Sequence, residues 1–115
     1  MDVKHLPIID WELAKKLAGN KMDLANDILT ALLNELPATA THMRHLHNER
    51  KYSDLTACVH KLHGALCYSG LPRLKSIVLR LETDLKSNIM VDSLSLIDQL
   101  DTEIKRLQEH YSHHG

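Results

Sequence analysis

The sequence predicts an all-α fold: an antiparallel four-helix up-and-down bundle with a short N-terminal helix. Three observations lead there. Apolar residues recur at i, i+3 and i+4 through most of the chain, the period of an amphipathic helix. The alternation of polar and apolar residues that marks a half-buried strand is missing. Gly, Pro and Asn punctuate the pattern at short intervals, so successive helices are joined by short turns and lie antiparallel.

The leading helix follows Asp10, a good N-cap, and carries Trp11, Leu13, Ala14 and Leu17 before Gly19-Asn20 ends it. The second has the stripe Met22, Ala25, Ile28, Leu29, Leu32, Leu33 and Leu36, continued by Ala40, Met43 and Leu46. Pro37 falls inside it. Because the stripe keeps its phase across the proline, a kinked helix is expected rather than a broken one. The third starts near Ser53 or Asp54 and runs towards Tyr68, where Ser69-Gly70 stops it. The fourth begins at Leu71-Pro72, with the proline suited to a first turn, and has the stripe Leu74, Ile77, Val78, Leu81 and Leu85. The fifth follows Asp92 or Ser93 with Leu94, Ile97, Leu100, Ile104 and Leu107.

A chain of 115 residues suits a single domain over 1–115, with a core from about 8 to 110 and a ragged tail holding His110, His113 and His114. Lys plus Arg total 14 and Asp plus Glu 15, for a formal charge of -1, and no basic run appears. Nucleic-acid and membrane-surface binders normally show a basic patch, so neither partner is expected. The absence of Phe, with one Trp, also leaves no aromatic platform for stacking single-stranded bases. Cys58 and Cys67 form no CxxC pair and read as reduced thiols of a cytoplasmic protein. No signal peptide is evident, and no apolar run nears the roughly 20 residues that cross a bilayer.

The third helix is the unusual one. At about 100° per residue, Leu55, Cys58, Val59, Leu62, Ala65 and Leu66 fall in one arc, the core face. His60 lies almost opposite its centre, surrounded by Thr56, Ala57, His63, Gly64 and Cys67. Apart from His63 these neighbours are small, where an exposed helix face normally carries long charged side chains. Gly64 costs about 1 kcal/mol in a helix interior relative to Ala. Either Gly64 packs against a neighbouring helix, or the pared-down surface lets another protein approach an exposed imidazole.

His60-Lys61-Leu62-His63-Gly64, with Gly70 six further on, resembles the signature of histidine phosphotransfer (HPt) domains. That signature is a His, a leucine-like residue two on, usually a Lys three on, a Gly four on and a second Gly ten on. The resemblance covers about Ile8 to Leu107. Leu6-Pro7-Ile8-Ile9-Asp10-Trp11, Leu36-Pro37 and Tyr68-Ser69-Gly70 are also similar to the C-terminal HPt domain of BarA-type hybrid sensor kinases. The resemblance implies that His60 accepts and donates a phosphoryl group, as a nucleophile towards the phosphorylated aspartate of a receiver domain. It implies a carrier with no catalytic activity of its own, acting as a monomer between the receiver of a hybrid kinase and a downstream DNA-binding response regulator in a bacterium. The receiver would bring Mg²⁺, so no cofactor of its own is expected. Thr56, Ala57 and Cys67 would help to dock the partner.

The departure is His63, where the resemblance leads one to expect lysine. An imidazole, with an ordinary pKa of about 6.5, offsets phosphate charge only in part. Lys61 adds positive charge nearby but points about 100° away around the helix. Glu82 sits twenty-two positions after His60, where several relatives use Gln or Glu to bond the inner ring nitrogen. It reads either as that partner or as a solvated charge. Lys86, one turn on, reads as phosphate support or as plain surface.

His42, His45 and His47 make an HxxHxH cluster, but no Cys or carboxylate set completes a four-ligand site, so solvated surface is expected and no metal. The alternative to a phosphorelay carrier is a non-catalytic bundle that docks a receiver or another partner without being phosphorylated.

Overall fold

In a computed structural model of the chain, which describes residues 2–114 without the side chains of His113 and His114, Asp10 caps α1 (Trp11–Leu17). Its Oδ1 accepts the Leu13 N–H at 3.0 Å. Four longer helices follow: α2 (Met22–Asn48), α3 (Tyr52–Leu66), α4 (Pro72–Lys86) and α5 (Ser93–His114). Helix α3 packs on α4, α4 on α5, α5 on α2 and α2 on α3, which closes the bundle, and α1 lies against α2. Among the described residues no helix is long and apolar enough to cross a membrane.

The turns have a common device. A residue with positive φ follows each of the first four helices: Asn20 (65°) after α1, Arg50 (58°) after α2, Gly70 (67°) after α3 and Asn88 (56°) after α4. Asn and Gly adopt this conformation at low cost, so three of the four stops are written in residue type. Pro37 leaves α2 unbroken. Losing an N–H there costs about 3 kcal/mol. Burial of Leu29, Leu32, Leu33 and Leu36 before it, and of Ala40, Met43 and Leu46 after it, offsets that cost.

The core is aliphatic. Leu55, Val59, Leu62 and Leu66 of α3 meet Leu74, Ile77, Val78, Leu81 and Leu85 of α4, with Ile97, Leu100, Ile104 and Leu107 from α5. Several expectations shift. Leu94 is exposed and Leu96 takes its place in the core, because Leu96 shares the arc of Leu100 and Leu107. Met22 has the right phase but sits at the exposed start of α2. Ala14 of α1 and Ala18 just after it are buried against Ala25, which leaves Leu13 and Leu17 exposed. Cys58 is half-buried and Ala65 exposed, since both lie at the edge of the α3 arc, in the groove facing α2. Burial pushes the Cys58 thiol pKa up, against the opposing charge of Lys61.

Both ends also differ. Val3 is fully buried, ahead of the expected core boundary. The segment before α1 is held by Arg73, whose Nε donates to the Leu6 carbonyl at 2.7 Å and whose Nη2 donates to that of Lys4 at 3.2 Å. At the other end α5 continues as helix to His114 where a ragged tail was expected. The Tyr111 hydroxyl donates to Asn26 Oδ1 at 3.0 Å, tying this last part of the helix to α2. Helix α3 starts at Tyr52 rather than at Ser53 or Asp54. Packing sets this start, because the Tyr52 ring meets His47 edge-on at 5.8 Å and no side chain caps the helix.

Gly70 explains the second glycine. Asp10 N–H donates to its carbonyl at 2.9 Å, so the start of α1 rests on the α3–α4 turn. A Cβ at this position would lie 2.7 Å from Asp10 O and 2.7 Å from Ala14 Cβ. At Gly64 an added Cβ meets nothing within 4 Å, so packing against a neighbouring helix is not the reason for that glycine. Gly70→Ala is expected to lower stability by about 3 kcal/mol through strain and overlap. Gly64→Ala should raise it by about 1 kcal/mol. Urea denaturation of the two variants measures the contrast.

Candidate functional site: a histidine on a buried carboxylate

The arc of α3 that buries Leu55, Val59 and Leu62 turns His60 outward, with its side chain 67% exposed. The adjacent face of α4 brings up Glu82, whose side chain is only 6% exposed. Glu82 follows Leu81 in the same buried stripe, so the carboxylate is set at the rim of the core. It is the meeting point of the site. His60 Nδ1 lies 2.5 Å from Oε2, His63 Nδ1 lies 2.9 Å from Oε1, and Lys86 Nζ lies 3.3 Å from Oε2.

A buried anion without partners would cost several kcal/mol; here His60 and Lys86 share one oxygen and His63 Nδ1 lies 2.9 Å from the other. Burial raises the Glu82 pKa, but hydrogen bonds from His60 and Lys86, with their charges, outweigh it and hold the carboxyl below its ordinary value. An ionised carboxylate only accepts hydrogen bonds. His60 therefore carries its proton on Nδ1 when neutral, and the lone pair sits on Nε2.

The expected residues divide. His60, His63, Glu82 and Lys86 come together in one cluster. Thr56 and Ala57 border the same surface hollow as His60 and Lys86, together with Tyr52 and Met90. Gly64 is exposed one turn from His60. Lys61 does not join them: it borders the α2–α3 groove with Cys58 and His42. Cys67 sits with its Sγ 4.0 Å from His63 Nε2, beside a second hollow bounded by Leu13, Leu17, Leu71 and Leu79. Of the other histidines, His45 pairs with Glu49 at 3.3 Å. His47 is half-buried and shares a hydrogen bond with Ser93 Oγ at 2.8 Å, so it is a link between α2 and α5 rather than solvated surface.

The exposed Leu13, Leu17 and Leu79 border the hollow beside Cys67, an apolar edge that the sequence did not reveal. The spacing of Leu13 and Leu17 reads as ordinary core, and only the way α1 packs leaves them outside.

The family model for the Hpt domain matches residues 27–110. The chain belongs to the Hpt domain family. It is 35% identical over 98 residues to the signal transduction histidine-protein kinase BarA of Escherichia coli K12, covering 81% of this chain and 11% of that protein. It is 39% identical over 101 residues to the sensor protein GacS of Pseudomonas syringae pv. syringae, covering 88% of this chain and 11% of that one. The chain thus spans about a tenth of the length of these relatives. The HPt domain of a sensor hybrid histidine kinase from Shewanella superposes with a TM-score of 0.75 at 27% identity, over 92% of this chain and 95% of that domain. The phosphotransfer domain expected from the His60 motif and the bundle is therefore the family found.

Because folding lowers the Glu82 pKa, its stabilising effect is full above the ordinary carboxylate range and is lost as pH falls through the folded-state value. Glu82→Gln removes the titration. The stability gap between the natural protein and Glu82→Gln should narrow as pH falls below the ordinary carboxylate range and through the folded-state value, as read from urea melts at each pH.

Proposed function

We propose that His60 is the phosphoryl carrier of a two-component phosphorelay, taking the group from a receiver aspartate and passing it to another. The observation that carries this reading is the His60–Glu82 contact, which leaves Nε2 in solvent with its lone pair. In the forward step that lone pair attacks phosphorus, the N–P bond forms, and the P–O bond to the aspartate breaks with its electrons leaving on the carboxylate. No proton has to leave. The ring keeps Nδ1–H and becomes cationic, and Glu82 faces that charge. In the return step a carboxylate oxygen of the second receiver's aspartate attacks phosphorus, the new P–O bond forms, and the N–P electrons go back to Nε2.

The chain's own contribution is binding and orientation. Mg²⁺ would come with the receiver, and the domain alone would turn nothing over. Lys86, rather than residue 63, supplies the fixed positive charge beside the ring. Small side chains at Ala57 and Gly64, the neighbouring Thr56, and the apolar border of Leu13, Leu17 and Leu79 fit a receiver face laid along α3. Cys67 lies at the edge of that border. A cytoplasmic monomer, serving the receiver of a hybrid kinase and then a response regulator, completes the proposal.

Incubation with a phosphorylated receiver and Mg²⁺ tests it. The natural protein should gain an acid-labile, base-stable label and His60→Gln none; equal labelling would overturn the assignment of His60. Gly64→Ala adds a methyl group into space that is open in the free domain. It should raise the KM for the receiver several-fold, by roughly 1 kcal/mol of lost docking, while the domain stays folded. Transfer kinetics at varied receiver concentration read that effect.

A further inference from the structure

Residue 63 stands one turn from His60, where a charged partner for the phosphoryl group was expected. The geometry gives it a different task. His63 is largely buried, with its side chain 22% exposed, and its Nδ1 lies 2.9 Å from Glu82 Oε1. Its other nitrogen faces Cys67 Sγ at 4.0 Å. The first nitrogen is taken up by the carboxylate, and the second points along α3 away from His60. Neither addresses the exposed nitrogen of His60.

The two oxygens of Glu82 are held unequally. Oε2 receives both His60 Nδ1 and Lys86 Nζ, whereas the His63 contact is the one on Oε1. Lys86 sits on a flexible, 55% exposed side chain and shares an oxygen with His60. It cannot by itself stop the carboxylate from turning about its Cγ–Cδ bond. A planar ring anchored in the α3 surface can, because gripping the second oxygen fixes the carboxylate plane.

We infer that His63 is a positioning residue for phosphotransfer: by donating Nδ1–H to Glu82 Oε1 it fixes the carboxylate plane with Oε2 on His60 Nδ1, and so holds His60 in the tautomer that is nucleophilic at Nε2. This deepens the reading of His60 as the carrier and rests on it for its kinetic part. Charge support passes to Lys86 on α4, and position 63 serves the ring instead of the phosphate.

The test pairs His63→Leu, which keeps bulk and loses the donor, with His63→Asn, whose amide nitrogen stands the same three bonds from Cα as Nδ1 and can reach Oε1. Nitrogen NMR of the His60 imidazole in the unphosphorylated domain reads its tautomer. The natural protein and His63→Asn should show a predominant Nδ1–H form, and His63→Leu a mixture. Transfer from a phosphorylated receiver at saturation should slow about tenfold in His63→Leu, with KM for the receiver unchanged, and recover to within about threefold in His63→Asn. An unchanged His60 tautomer in His63→Leu overturns the proposal. So does a loss confined to KM, or an asparagine variant as impaired as leucine. If His63→Leu does not fold, His63→Ala, which also lacks the donor and suits a helix, takes its place in the same comparison. The tautomer is measured without any phosphoryl group, so this inference fails or stands separately from the assignment of His60 as carrier.

Discussion

A buried carboxylate organises this molecule's working face. Glu82 is an anion at the edge of an aliphatic core, and it is tolerable there because three nitrogens from two helices converge on it. That convergence demands a fixed register between α3 and α4. A shift of one residue on either helix would turn the donors about 100° away and leave a charge unpaired near the core. The packing of Leu55, Val59 and Leu62 against Ile77, Val78 and Leu81 supplies the register. The core thus decides where the imidazole stands, and the carboxylate decides which of its nitrogens is free.

The scaffold protects this arrangement at its ends. Gly70 lets the chain turn sharply between α3 and α4 while the start of α1 rests on the same turn. Arg73 ties the segment before α1 to α4 through the carbonyls of Lys4 and Leu6. At the opposite side Arg44 of α2 pairs with Asp98 and Asp101 of α5, both at 2.7 Å. These exposed or half-exposed contacts contribute modestly by themselves. Their effect is to fix the order of helices around an aliphatic core.

Two glycines in one motif serve opposite ends. Gly70 is required by the folded chain, since a side chain there would meet backbone. At Gly64 a side-chain carbon would meet nothing within 4 Å, so the packing around it does not require a glycine. The same division runs through the histidines. His47 links two helices, His63 Nδ1 lies against a carboxylate, and His60 combines a fixed inner nitrogen with a solvent-facing outer one.

Much of this was legible in the chain itself. The five helices follow from apolar spacing, the Asp10 cap and the stops at Asn20 and Gly70 from residue type, and the exposure of His60 from its place opposite the arc of Leu55, Val59 and Leu62. The family signature supplied the chemistry. What spacing could not settle were matters of contact between helices. Arg50 ends α2 in a conformation its residue type does not announce, Leu96 displaces Leu94 from the core, and Lys61 turns to the α2 groove. Glu82 is the sharpest case. Its sequence neighbours are compatible with a solvated charge, and its burial among two imidazoles and an ammonium exists only once α4 lies on α3. Periodicity acts within one helix and is therefore written locally, whereas the pairing of a charge depends on which faces of different helices meet.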